Sequence, residues 1–181
     1  MDKLRIGIIG MGRMGLTHYS IINTHPSVEI TAIADTSSMM LNMLKKLIPS
    51  LNIYEDYKDL LNSGLVDGVI VCTPSSLHYS VCKMACEKGI HVFCEKPFTT
   101  DPKLASELAD MFEEKGLVNQ VGYVYRFDTV FKRVKGIHFW FFFPQNNPIK
   151  PSFLMIGEAI LYSPRLNRKA APTPIHILLS R

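Results

Sequence analysis

Two short stretches combine residue types and spacing that could do chemistry. Glu95-Lys96-Pro97 follows one apolar run, and Gly10-Met11-Gly12-Arg13-Met14-Gly15 follows another. At the end of a buried strand, the Lys96 ammonium would hydrogen-bond a substrate hydroxyl and favour its alkoxide while a hydride leaves the same carbon. The plain alternative is a solvated lysine in a turn. The G-x-G-x-x-G spacing suits a strand, a tight turn and a helix start. Gly10 allows the turn, Gly12 lets the backbone approach a pyrophosphate, and Gly15 lets the helix pack closely. Free N–H groups of the helix's first turn, near Arg13 and Met14, would receive the anion, with the Arg13 side chain as a phosphate or adenine contact or merely an exposed cation. Asp35, twenty residues after Gly15, ends a second apolar run. There a carboxylate would accept hydrogen bonds from an adenosine ribose, or else cap a helix. With no Arg or Lys close behind it to hold a 2′-phosphate, NAD is favoured over NADP.

These residues need strands and helices in alternation to position them. Strands are expected at Lys3 to Ile9, Val28 to Ala34, Asn52 to Tyr54, Val69 to Cys72, His91 to Cys94 and Asn119 to Val124. The first and fourth are apolar nearly throughout, as strands buried on both faces are. Between them, helices are expected from Met14 to about Thr24, and from a Thr36, Ser37 or Ser38 cap to Pro49. A brief helix follows Asp56, another runs from Leu77 to Lys88, and a last one runs from Asp101-Pro102 to Gly116. Thr73-Pro74-Ser75-Ser76 is expected as a turn. Met39, Met40 and Met43 are expected as core filler. The fold class is α/β, a doubly wound parallel sheet of the Rossmann type, with ligands at the carboxyl ends of the strands.

A chain of 181 residues suffices for one well-buried domain. Residues 1–136 hold fifteen basic and fifteen acidic residues, so the net charge of +4 belongs to 137–181, where Glu158 is the sole acid. A balanced first part carries no basic face for nucleic acid, and none is expected as a partner. No signal peptide or membrane span is evident, and Cys72, Cys82, Cys86 and Cys94 form no C-x-x-C pair, so a cytoplasmic location with free thiols is expected. His78, Cys82 and Cys86 lie four apart on one helical face, which invites a metal reading. No fourth ligand is evident and small cysteines suit a helix packed on a sheet, so no metal is expected. Six of the eleven prolines fall after Gly136, and Phe139-Trp140-Phe141-Phe142-Phe143 lacks patterning. The chain divides accordingly into a dinucleotide-binding domain at 1–136 and an irregular tail at 137–181, read as an aggregation or interface segment.

Taken together, Gly10-x-Gly12-x-x-Gly15, Asp35, Cys72-Thr73-Pro74-x-x-x-His78, Glu95-Lys96-Pro97 and Val121-Gly122-Tyr123-x-x-Arg126-Phe127 resemble the successive signatures of the Gfo/Idh/MocA oxidoreductase family. The glycine run alone also suits dihydrodipicolinate reductase, against which Glu95-Lys96-Pro97 argues. The family resemblance covers about residues 3–135 and implies NAD- or NADP-dependent hydride transfer with a sugar or cyclitol hydroxyl. It implies cofactor contacts at Gly10, Gly12, Arg13, Met14, Gly15, Asp35, Cys72, Thr73, Pro74, Glu95 and Lys96. His78 would lie near the nicotinamide pocket, the Lys96–Pro97 bond would be cis, and Tyr123 and Arg126 would lie near substrate. Family members carry an aspartate and a histidine four residues later on a second domain, and no D-x-x-x-H follows residue 128 here. The tail is therefore read as a frame-shifted or truncated end, with a homo-oligomer left open. Two functions follow: an oxidoreductase, its activity as this chain left open, or a noncatalytic dinucleotide-binding module whose aromatic tail mediates association.

Overall fold

Alternation of side chains decides which way each strand faces. In β1 (Leu4–Ile9), Ile6 and Ile8 point to one side of the sheet and Ile9 to the other, and all three are buried. The computed structural model describes residues 3–130 and 133, without the side chain of Arg126; the expected tail at 137–181 lies outside the described residues. Six strands form one parallel sheet in the order β3-β2-β1-β4-β5-β6, with β2 at Val28–Ala34, β3 at Asn52–Tyr54, β4 at Gly68–Val71, β5 at His91–Cys94 and β6 at Asn119–Val121. The order reverses between β1 and β4, which opens the crevice where such sheets bind ligands.

Two apolar layers sandwich the sheet. On one side α1 (Arg13–Ile22) and α2 (Ser38–Leu47) cover Ile8, Ile33 and Ile70. On the other, α3 (Tyr57–Asn62), α4 (Ser75–Glu87) and α5 (Pro102–Glu114) cover Ile9, Val71 and Cys94, with Leu108 and Phe112 fully buried. Capping follows the sequence signals. Ser37 accepts from the Met40 N–H at 3.3 Å, Asp56 from Lys58 at 2.9 Å, and Asp101 from Lys103 at 2.8 Å, with Pro102 opening α5.

Three expectations need correcting. Met39 and Met43 are 80% and 45% exposed and only Met40 packs on the core, because Leu41 and Leu44 take the inward face of α2. Ser75 and Ser76 belong to α4, whose entry Pro74 sets by accepting the Leu77 N–H at 2.9 Å. The sixth strand ends at Val121: the Tyr123 N–H turns back to the Val121 carbonyl at 2.8 Å and a 3-10 turn, Val124–Phe127, follows.

His91 gives the fold a pH dependence. Its Nδ1 accepts the Val118 N–H at 3.0 Å, tying β5 to the approach of β6. Burial pushes the imidazole below its ordinary value, with Asp67 pulling more weakly the other way. Protonation would put a donor against a donor, so the stabilisation is complete above about pH 6.5 and is lost as pH falls through the depressed folded value. The melting temperature is expected to fall between pH 7 and pH 5, and to fall less in His91→Asn, whose amide oxygen can accept without titrating. Equal pH slopes in the two proteins would contradict this.

Candidate functional site

Ladder hydrogen bonds continue past the strand ends and line up the expected site residues along one edge. Gly10 N–H donates to Ala34 at 2.8 Å, Asp35 to Tyr54 at 3.1 Å, Cys72 to Ile9 at 2.8 Å, Glu95 to Val71 at 2.9 Å and Gly122 to Cys94 at 2.9 Å. Asp35, Gly10, Cys72-Thr73, Glu95-Lys96 and Gly122-Tyr123 thus follow one another in strand order at the carboxyl edge. An apolar cavity of about 250 Å³ lies elsewhere, on the α1 side and reaching the strand starts at Leu4, Val28 and Gly68. It does not coincide with the crevice.

The glycine turn is shaped by contacts a side chain would destroy. Gly10 has φ +92°, and a Cβ there would lie 2.8 Å from the Cys72 carbonyl. A Cβ on Gly15 would overlap the Gly10 carbonyl oxygen, so the close approach is of helix to turn. Gly12 differs: a Cβ there would meet nothing within 4 Å. It is the N-cap of α1, no side chain caps the helix, and the first helical bond is from Leu16 N–H to Gly12 at 3.0 Å. The open space over Gly12 and the uncapped first turn, which includes Arg13 and Met14, suit an anion. Arg13 is exposed and makes no ion pair among the described residues.

Asp35 braces this turn. Its Oδ2 accepts the Met11 N–H at 2.6 Å and its Oδ1 accepts the Ser37 N–H at 2.7 Å. Each carboxylate oxygen keeps a second lone pair for a further donor.

Next along the edge, the Thr73 hydroxyl is buried and has no partner among the described residues. Such an orphaned group costs free energy unless something supplies the missing bond, and a polar ligand in the crevice would. Pro74 is exposed at the mouth of α4. His78 is buried and bridges the exits of β4 and β5, Nδ1 lying 2.6 Å from the Pro97 carbonyl and Nε2 2.9 Å from the Thr73 carbonyl. Which of the two carbonyls receives the ring N–H depends on the tautomer, and among the described residues no cluster of metal-ligating side chains is assembled.

Lys96 is exposed, and its bond to Pro97 is cis. Glu95 points to the α1 side, where its Oε1 meets His18 Nε2 at 2.8 Å, with the side chains 17% and 12% exposed for His18 and Glu95. A Cβ on Gly122 would lie 3.3 Å from Glu95 Oε1, so that glycine leaves room for the carboxylate. His18 escaped the sequence reading. Its position three residues after Gly15 on α1 was the available signal, since that spacing shares a helix face. Burial, and secondarily the Glu95 charge, pushes the Cys72 thiol up to about 12. The Cys94 thiol is pushed up by a hydrogen bond with Cys82 and by burial. These are packing thiols. Tyr123 is half-buried beyond β6; Arg126 lies in the 3-10 turn, with its side chain outside the described residues.

A reversed parallel sheet with an open amide cradle at its central exit defines a dinucleotide-binding fold of the Rossmann class. The model of the Gfo/Idh/MocA oxidoreductase family, NAD-binding Rossmann fold, matches residues 4–123, and the chain belongs to that family. The oxidoreductase YrbE of Bacillus subtilis is 35% identical over 131 residues, 72% of this chain and 38% of that protein. The inositol 2-dehydrogenase of an Arthrobacter species is 32% identical over 130 residues, 71% of this chain and 39% of that protein. A scyllo-inositol dehydrogenase from Lactobacillus casei, solved with NAD(H) and scyllo-inositol, superposes with a TM-score of 0.67 at 28% identity over 75% of this chain and 41% of that one. The chain therefore spans about two fifths of the length of these relatives.

Gly12 and Gly15 should part company on substitution. Gly15→Ala forces α1 off the turn and is expected to lower the melting temperature by about 5–10 °C. Gly12→Ala, with open space at the new methyl, is expected to lower it by less than about 3 °C. Thermal denaturation followed by circular dichroism checks this, and equal losses would contradict the packing described.

Proposed function

We propose that the chain binds NAD along the strand exits and contributes Lys96 to hydride transfer between that cofactor and a sugar or cyclitol hydroxyl. The observation that carries this reading is the open, uncapped cradle at Gly12, in line with Asp35, the orphaned Thr73 hydroxyl and Lys96. The amides at Gly12 to Met14 receive the pyrophosphate, with Arg13 free to reach it. Gly10 and Gly15 hold the turn, and Asp35 accepts from the adenosine ribose and repels a 2′-phosphate. Cys72, Thr73 and Pro74 border the crevice, where Thr73 donates to the ligand, and His78 keeps the strand exits together. Bound NAD supplies the hydride acceptor. Lys96 donates to the substrate oxygen and stabilises its negative charge as the hydroxyl proton passes to solvent water and the hydride to NAD, while Glu95 sets the lysine's backbone. Tyr123 and Arg126 border the substrate side.

Binding is tested by titrating NADH fluorescence with the 181-residue chain, and turnover by following NAD reduction over a panel of polyols and sugars. NADH is expected to bind with a dissociation constant between about 1 μM and 1 mM, and NADPH at least about tenfold more weakly because Asp35 opposes the extra phosphate. Where turnover is seen, Lys96→Met should cut kcat by about 100-fold or more while leaving NADH affinity within a few-fold. Binding without turnover on any substrate would favour the noncatalytic module, a reading that the chain's two-fifths span of its relatives keeps in view. Failure to bind either dinucleotide would overturn the proposal.

A further inference from the structure

We infer that His18 is a positioning residue: through Glu95 it fixes the backbone from which Lys96 enters the crevice. The inference rests on the dinucleotide-binding reading and assigns a role to a side chain outside the family signatures quoted above. A carboxylate 12% exposed, so close to Gly122 that a Cβ there would meet it at 3.3 Å, is costly unless it is hydrogen-bonded. His18 Nε2, at 2.8 Å, is the one side chain bonded to it among the described residues. The other carboxylate oxygen accepts the Lys96 N–H at 3.3 Å. Freed from His18, the carboxylate would turn toward solvent and that bond would go.

Lys96 is thus pinned from both sides. Upstream, Glu95 is held by its own N–H to Val71 at 2.9 Å and by His18 through its side chain. Downstream, the Pro97 carbonyl is held by His78 at 2.6 Å. His18 belongs to α1, so a single helix carries the anion cradle at its N-terminus and, farther along, the group that steadies the lysine. The competing explanation is packing alone, because the His18 ring also meets Phe93 edge-on at a centroid distance of 5.2 Å.

Two substitutions separate these roles in the 181-residue chain, labelled with 15N. His18→Phe keeps an aromatic ring against Phe93 and removes the hydrogen bond. His18→Gln keeps an N–H donor at similar reach and removes the ring. Positioning requires the Lys96 backbone amide resonance to move in His18→Phe and stay near its wild-type place in His18→Gln. NADH affinity should stay within a few-fold in both, as in Lys96→Met, and where turnover is seen kcat should fall by about tenfold in the first and be largely rescued in the second. The reverse pattern, or an amide that responds alike to both changes or to neither, would overturn the inference. Should His18→Phe fail to fold, Glu95→Gln reads the same bond from the other end: the His18 Nε2 resonance must shift, and an unmoved ring would overturn it. The two failures are distinguishable. Absence of NADH binding by the wild-type chain sinks the reading of function, whereas normal wild-type binding with an indifferent Lys96 amide sinks the role of His18.

Discussion

The site depends on one hydrogen bond: the 2.6 Å contact from the Met11 N–H to the Asp35 carboxylate. It carries the tie between the exits of β1 and β2, where Gly10 N–H already donates to Ala34, one residue further into the glycine turn. Because Asp35 also accepts from Ser37, and Ser37 caps α2, the same carboxylate sets the start of the second helix. The turn held in this way leaves Gly12 facing open space while Gly10 and Gly15 are closed against backbone. A negative group that braces the loop while retaining free lone pairs meets both readings of Asp35. It organises local structure, and it remains able to accept from a ribose.

A second constraint operates at the neighbouring exits. β4 and β5 are joined below the crevice by a buried imidazole, His78, whose nitrogens reach the Thr73 and Pro97 carbonyls. Above it, α1 reaches across β1 and β4 to Glu95 through His18. Both histidines replace water at polar groups near an edge built from backbone, where an unsatisfied carbonyl or carboxylate would be expensive. Thr73 remains the exception, with a buried hydroxyl that lacks a partner among the described residues. A rigid frame with one unmet donor is the arrangement expected of a site awaiting a polar ligand.

Much of this was legible in the chain because local rules and tertiary packing agree. Runs such as Val69 to Val71 read as buried strands and are buried; Asp56 and Asp101 read as caps and cap. Where the two levels conflict, sequence reading falters. The methionines of α2 share a composition with core residues, but only the helix's orientation on the sheet reveals that Met39 faces outward. β6 stops at Val121 because a turn hydrogen bond competes with the ladder, a contest that apolar content does not register. The His18–Glu95 pair joins residues 77 positions apart, and nothing in either neighbourhood announces the other. The glycine spacing and Asp35 were visible as a motif, yet the bond between Asp35 and Met11 was not.

The most direct test is a crystal structure of this chain with NADH. The phosphates should lie within hydrogen-bonding distance of the amides at Gly12 to Met14, with the adenosine ribose on Asp35 and the nicotinamide ring facing Lys96. A dinucleotide bound away from the Gly12 cradle, or lying along the edge in the opposite direction with its adenosine at Lys96, would contradict it.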